Sequence, residues 1–211
     1  MKKTILLCTF AFALLAAAST LNAQETTEPG RPNELYLGYG AGSLYYFTGP
    51  IDHSYDYYPY YYSTDDQLPT SAGTIFLGYN RSVSKVVSVG FVVSYMHLNQ
   101  QLDYSSVQYG YDTTGYYGEI NDNLITGMTR VIFNYMRKPV LTLYSGASIG
   151  ATVDLSNSTI NGRKDSERKL KPAGQLTLFG LRAGKALSGF FEFGVGTNGI
   201  VTAGISYRMK D

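Results

Sequence analysis

The chain has 211 residues, with 17 Lys+Arg against 16 Asp+Glu, one Cys, no Trp, 20 Tyr and 23 Gly. Charged residues make up only 16% of it, well under the roughly 25% of an ordinary soluble domain. A net charge of +1 leaves no basic footprint for nucleic acid, and a single Cys excludes both a disulfide framework and a cysteine-only metal site.

The first element is not part of a fold. Lys2 and Lys3 precede an apolar run from Thr4 to Ala18 and a small-residue stretch, Ser19 to Ala23. That is the layout of a secretory signal peptide, and the run is shorter than the ~18 apolar residues a membrane-spanning helix needs. Cleavage is expected after Ala23, giving a signal peptide (1–23), an N-terminal segment (24–34) and one domain (35–211). Cys8 leaves with the peptide, and an exported, thiol-free chain fits a bacterial envelope protein.

Runs of alternating apolar and polar residues then recur, each about ten residues long, as in membrane β-strands. They are Leu35 to Gly42, Thr74 to Asn80, Val86 to Met96, Leu124 to Met136, Val140 to Asp154, Gln175 to Gly184, Phe190 to Gly196 and Ile200 to Met209. Their connections alternate in length. Long stretches are expected at Phe47 to Ser71, Asp103 to Asn123 and Ser156 to Lys169. Tight turns are expected at Arg81 to Lys85, Arg137 to Pro139 and Lys185 to Ser188. Long loops on one side and short turns on the other characterise outer-membrane barrels. Only Thr197-Asn198-Gly199 is short where a long loop is due. The pattern predicts an all-β, eight-stranded antiparallel up-and-down transmembrane β-barrel.

Sorting each strand by parity separates an apolar set from a polar one. The apolar set includes Leu35, Leu37, Ile75, Leu77, Val87, Phe91, Phe133, Ile149, Phe193 and Ile205, with Tyr39, Tyr79, Tyr95, Tyr135 and Tyr207 near strand ends. The polar set is mostly Gly, Ser, Thr and Asn, with Arg130, Arg182, Glu192 and Arg208 mid-strand. A soluble barrel would carry many Lys and Glu on its wet face. A Gly- and Ser-rich face with a few charges suits a narrow lumen instead, since eight strands leave room only for packed side chains. The apolar set then faces lipid and the tyrosines form aromatic girdles. Around Leu176 to Arg182 the parity breaks, which a β-bulge would reconcile.

With these runs and its C-terminal hairpin, Phe190 to Met209, the chain resembles the small outer-membrane β-barrel proteins of the OmpX and opacity-protein type, including the "outer membrane protein beta-barrel domain" family of Bacteroidota. The resemblance implies a Gram-negative outer membrane and carries no catalytic residues. Members usually end on an aromatic residue, whereas this chain ends Tyr207-Arg-Met-Lys-Asp211.

Motifs for chemistry are sparse. Gly194 to Gly199 matches G-x-G-x-x-G, but a strand rather than a helix follows it, so a dinucleotide site is not expected. Only His53 and His97 could serve as a base; His97 has Ser94, Asp103 and Ser105 in its neighbourhood. The expectation is no enzyme, no cofactor and no metal. Tyrosine is concentrated instead. Tyr55, Tyr57, Tyr58, Tyr60, Tyr61 and Tyr62 fall in the first long connection, and Tyr104, Tyr109, Tyr111, Tyr116 and Tyr117 in the second. Tyr offers a rigid amphipathic contact at low entropy cost, so these residues are candidates for surface recognition.

The expected protein is a pore-less outer-membrane barrel with a structural or surface-recognition role. Its partners are outer-membrane lipid and a glycan or protein ligand at the outer loops, without nucleic acid, and it is a monomer. A narrow porin-like channel ranks second, then a lipid-modifying enzyme, then a soluble lipid-binding barrel. Counting outward from a turn centred on Leu187 places Arg182 opposite Glu192 as a charge pair inside the lumen.

Overall fold

The computed structural model describes residues 33–45, 70–108, 111–160 and 163–209; the signal-peptide segment lies outside them. Eight antiparallel strands close into one up-and-down barrel in chain order: β1 (Asn33–Ala41), β2 (Thr70–Ser82), β3 (Val87–Gln108), β4 (Tyr111–Arg137), β5 (Leu141–Ile160), β6 (Arg163–Gly184), β7 (Leu187–Gly196) and β8 (Val201–Met209). The ring shuts where β8 pairs with β1, from Asn33 opposite Met209 to Ala41 opposite Val201. Closure leaves that ring no free sheet edge. The end with the short links β2–β3, β4–β5 and β6–β7 is the lower end, and the opposite end the upper.

The two faces follow the period-2 rule. Leu35, Leu37, Ile75, Leu77, Phe91, Ile149 and Ile205 stand exposed on the outside, Ile149 at 63%. Glu34, Tyr36, Phe76, Ser94, Arg130, Tyr144, Glu192 and Thr202 are buried inside. Water does not select this arrangement, because it puts the apolar set outward and the charges inward. Tyr79 and Tyr207 lie level with Leu35 at the lower end, and Tyr39 and Tyr95 level with Ile75 higher up. On β4 the outward positions run from Ile125 to Tyr135, and about ten residues at ~3.3 Å, tilted by ~40°, make a band about 25 Å tall.

Two details depart from simple parity. The register of β6 against β7 shifts between Thr177 and Phe179, a bulge that leaves both Leu178 and Phe179 exposed. It reconciles Leu176 with Leu181 on one face, because the extra residue flips the phase. Val87, expected outside, is buried: it sits at the first position of β3, where Val83 and Ser84 donate to its carbonyl and fold the β2–β3 turn over it.

The long connections are also different from the expectation. Most of Asp103 to Asn123 and Ser156 to Lys169 is strand, with ladders running up to Gln108 opposite Tyr111 and Ile160 opposite Arg163. Although Ile120, Asp122 and Ser156 are still buried on the inner face, the apolar–polar alternation of the sequence fades there. The backbone ladder persists without it. Residues 46–69, with the first tyrosine group, lie outside the described residues.

Candidate functional site

Two places bring polar side chains together: the lumen, and the wall that four strands build above it.

Glu192 on β7 is the hub of the lumen. One oxygen accepts from Arg130 Nη2 of β4 and, at 2.7 Å, from the Tyr144 hydroxyl of β5; the other accepts from Thr177 of β6 and Thr202 of β8, both at 3.4 Å. Five strands thus meet on one carboxylate. Arg182 of β6 lies 2.8 Å, Nε to Oε1, from Glu34 of β1. Those two atoms attract as charges without the alignment of a hydrogen bond. Arg130 stands 5.4 Å from the Tyr36 ring centroid and Arg182 5.0 Å from that of Tyr144, within the range of cation–π attraction. Below them Arg208 donates to Thr142 at 3.0 Å and Arg137 to Ser82 at 2.9 Å.

Rings fill the space between the charges. Tyr36, Phe76 and Phe190 meet with centroids 6.0–6.2 Å apart and pack with Val92 and Met128. Each large lumen ring has a glycine directly across the ladder: Tyr36 faces Gly78, Phe76 faces Gly38, Tyr144 faces Gly180 and Phe190 faces Gly204. A Cβ would come within 2.2 Å of Tyr36 at Gly78, 2.5 Å of Phe76 at Gly38, 2.3 Å of Tyr144 at Gly180 and 2.7 Å of Phe190 at Gly204. The abundance of glycine on the inward face therefore has a steric cause: the rings lie over backbone that no side chain occupies.

The upper mouth is covered from one side. The short β7–β8 turn is tucked inward, with Thr197 and Asn198 buried. Asn198 N–H donates to Gln175 Oε1 and Gln175 Nε2 to Gly199 O, both at 2.9 Å, and Ser43 donates to Thr197 O at 2.7 Å. At Gly42, φ of +71° turns the chain into the mouth, a conformation glycine adopts freely. Tyr45 then crosses to β5 and β6, donating to Thr152 at 3.0 Å and Pro172 O at 2.9 Å, and packs on Met96, Leu98 and Leu124. The β7–β8 turn is therefore a stopper.

Among the described residues, only β3 to β6 continue beyond the mouth. β2 meets β3 no higher than Thr70 opposite Asn99, and β7 meets β6 no higher than Gly196 opposite Gln175. On the outward face of this wall Asn99 donates to Glu119 and to Asn121, and Asn121 to Glu119 at 2.9 Å. Hydrogen bonds from Asn121 and Asn99 hold the exposed Glu119 carboxyl below its ordinary pKa.

The expected opposition of Arg182 and Glu192 is corrected by the register. Gly184 pairs with Ser188, so the turn is centred on Ala186, one residue earlier than assumed, and every partner moves by two. Arg182 faces Phe190, and Glu192 faces Gly180. Both residues stay inside, and each finds its counter-ion on a strand three away around the ring. Glu34, just before the expected start of the domain, was missed as the partner of Arg182; its signal was its parity with Tyr36. Tyr104 lies on β3 and Tyr111, Tyr116 and Tyr117 on β4. Tyr109 and Tyr55 to Tyr62 lie outside the described residues, as does His53. His97 points outward, 3.2 Å from Asn123 Oδ1, whereas Ser94 is buried inside. Those two residues cannot form a base–nucleophile pair across the sheet. Gly194 to Gly199 ends β7 and forms the tucked turn.

No family model matches the chain, and no curated protein matches it. Among solved structures, the chain is similar to Ail, the attachment invasion locus protein of Yersinia pestis, at 13% identity over 87% of this chain and 100% of that one, with a TM-score of 0.42.

Proposed function

We propose that this protein is a monomeric, non-enzymatic β-barrel of a Gram-negative outer membrane, closed to solutes, with a structural or recognition role at the cell surface. One observation carries the reading: the barrel is turned inside out relative to a water-soluble one. Leu37, Leu77, Phe91 and Ile205 are each about half exposed or more, while Arg130, Arg182 and Glu192 are 5–6% exposed. Contiguous apolar surface beyond a few hundred Å² marks a membrane or partner contact, and here it runs around the ring. The filled lumen supports the absence of a pore, and the tall wall supports an outward-facing role. The Tyr-rich stretches, Tyr55 to Tyr62 and Tyr104 to Tyr117, remain the candidates for contact with a glycan or protein ligand.

Fractionation tests the location. The protein should sediment with outer membranes, resist carbonate extraction and migrate differently on gels with and without boiling; recovery as a soluble periplasmic protein overturns the reading. Planar bilayers test the lumen: the wild type should give no stable unit conductance, and discrete open channels would favour the porin-like alternative. In whole cells, external protease should cut within Tyr55 to Asp66 or Ser156 to Lys169 and spare Arg81 to Lys85.

A further inference from the structure

On β3, β4, β5 and β6 the outward face changes chemistry within four residues. One row across the four strands is Tyr95, Ile125, Val153 and Leu170, paired in register, with Leu170 75% exposed. Two residues higher on each strand, the next row is mixed: His97, Asn123, Leu155 and Arg168. The row after that is Asn99, Asn121, Asn157 and Ser166, each directly opposite the next. Neighbouring strands lie about 4.8 Å apart and successive outward rows about 6.6 Å apart, so the amide row stands about 13 Å along the strands from the apolar one.

The grid is hydrogen-bonded laterally and thereby held flat. Tyr95 donates to Asn123 Oδ1 at 2.8 Å, Asn99 to Asn121 at 2.8 Å, and Ser166 to Asn157 Oδ1 at 2.9 Å. Each amide keeps further donor or acceptor capacity, because a carboxamide offers two N–H groups and two lone pairs. The charges in the next row are mixed, with Glu119 level with Thr159 and Lys164.

We propose that this outward face of β3 to β6, centred on Asn99, Asn121, Asn157 and Ser166, binds the sugar headgroups of outer-leaflet glycolipid. Three features select that occupant. The face is continuous with the lipid-facing band on the same strands, so it looks sideways into the headgroup layer. Its chemistry is amide and hydroxyl, which matches the dense hydroxyls of a saccharide. Mixed charge on a flat ladder gives neither a phosphate cluster nor an apolar pocket for a protein anchor. The proposal rests on the outer-membrane reading.

The test uses the full mature chain folded into three vesicle types: phospholipid alone, phospholipid with lipid A, and phospholipid with lipopolysaccharide carrying its core sugars. Urea unfolding is compared for the wild type and for the triple variant Asn99→Val, Asn121→Val, Asn157→Val. The wild type should show a midpoint higher by about 0.5–1 M urea in the core-sugar vesicles than in the lipid A vesicles, from a few added hydrogen bonds. The triple variant should lose that increment yet unfold at its own unchanged midpoint in phospholipid alone and with lipid A. An equal midpoint with lipid A and with core sugars, or an increment retained by the triple variant, overturns the proposal alone. Failure of the wild type to insert into any vesicle overturns the outer-membrane reading with it. Should the triple variant not fold, the single Ser166→Ala and Asn157→Ser variants replace it, each expected to reduce the increment.

Discussion

The half of the ring built by β1, β2, β7 and β8 has strands of 9, 13, 10 and 9 residues, against 22, 27, 20 and 22 for β3 to β6. The short half turns its resources inward. It brings Glu34 and Glu192, the two carboxylates that pair with the lumen arginines, three of the four large rings, and the tucked turn. The long half answers with Arg130, Arg182 and Tyr144, and spends the rest of its length above the mouth. Both buried ion pairs therefore join one half to the other across the lumen. Below the mouth the halves are interdependent, and above it, among the described residues, the long half stands alone. Substitutions should respect that boundary.

The largest effect is expected where the halves are tied. Glu192→Gln leaves the Arg130 guanidinium buried beside a neutral amide, and removing one partner of a buried pair typically costs about 3–5 kcal/mol. Arg130→Met made together with it should cost much less, because no orphan charge remains. Urea unfolding in lipid vesicles gives the coupling. A value within about 0.5 kcal/mol, the scatter for independent sites, would mean that this pair does not join the halves.

A second break targets the ring-over-glycine contacts. Gly180→Ala places a methyl 2.3 Å from the Tyr144 ring, and overpacking of this kind costs about 1–3 kcal/mol. Because Tyr144 also donates to Glu192, moving the ring disturbs the hub. Gly127→Ala is the control, since nothing lies within 4 Å of its added Cβ. Because Gly→Ala by itself lowers the entropy of the unfolded chain and stabilises, a loss at Gly180 no larger than that at Gly127 would show that the ring contact carries no cost.

How much of this was legible beforehand follows the same boundary. The strand order, the inward set and the bulge near Leu178 follow from alternation, which is clearest where an apolar face points outward and the other lines a packed lumen. Higher up, polar residues occupy both parities of the sequence, and the ladder past Leu102 read as loop. Partner choice inside the lumen was beyond reach for another reason. A one-residue change in the centre of the β6–β7 turn moves each cross-strand partner by two, and contacts between strands three apart depend on ring closure. The glycine–aromatic pairings were readable only once the register was known, although Tyr36 beside Gly38 and Phe76 beside Gly78 already carried the reciprocal spacing.

Two lysines on β6 locate the boundary more finely. Lys171 lies 2.8 Å from Asp154, whose side chain is buried, whereas Lys169 lies 3.2 Å from the half-exposed Glu167. Lys171→Met should cost about 1–3 kcal/mol, the penalty for a buried acceptor that loses its partner. Lys169→Met should cost no more than about 0.5 kcal/mol, as exposed pairs do. Equal effects would move the mouth to a different height from the one assigned by Tyr45 and the tucked turn.

The smallest expected effect belongs to Glu119, on the outward face of the wall. Its folded pKa is lowered by hydrogen bonds from Asn121 first and Asn99 second, so near its titration the folded chain binds fewer protons than the unfolded one. Stability then rises with pH through this window. The contribution is complete above the unfolded value of about 4.3 and is lost as the pH falls through the lower folded value. Asn121→Ala removes the larger of the two hydrogen bonds and should move the carboxyl upward, toward its ordinary value. Carbon-13 NMR of the side-chain carboxyl in vesicles reads this shift directly, without unfolding the barrel. The lumen pairs should be indifferent to the change, because Glu119 stands on the wall outside the mouth. An unmoved Glu119 titration in Asn121→Ala would mean that the amide row is not hydrogen-bonded to the carboxylate, and that the wall lacks the lateral rigidity assigned to it.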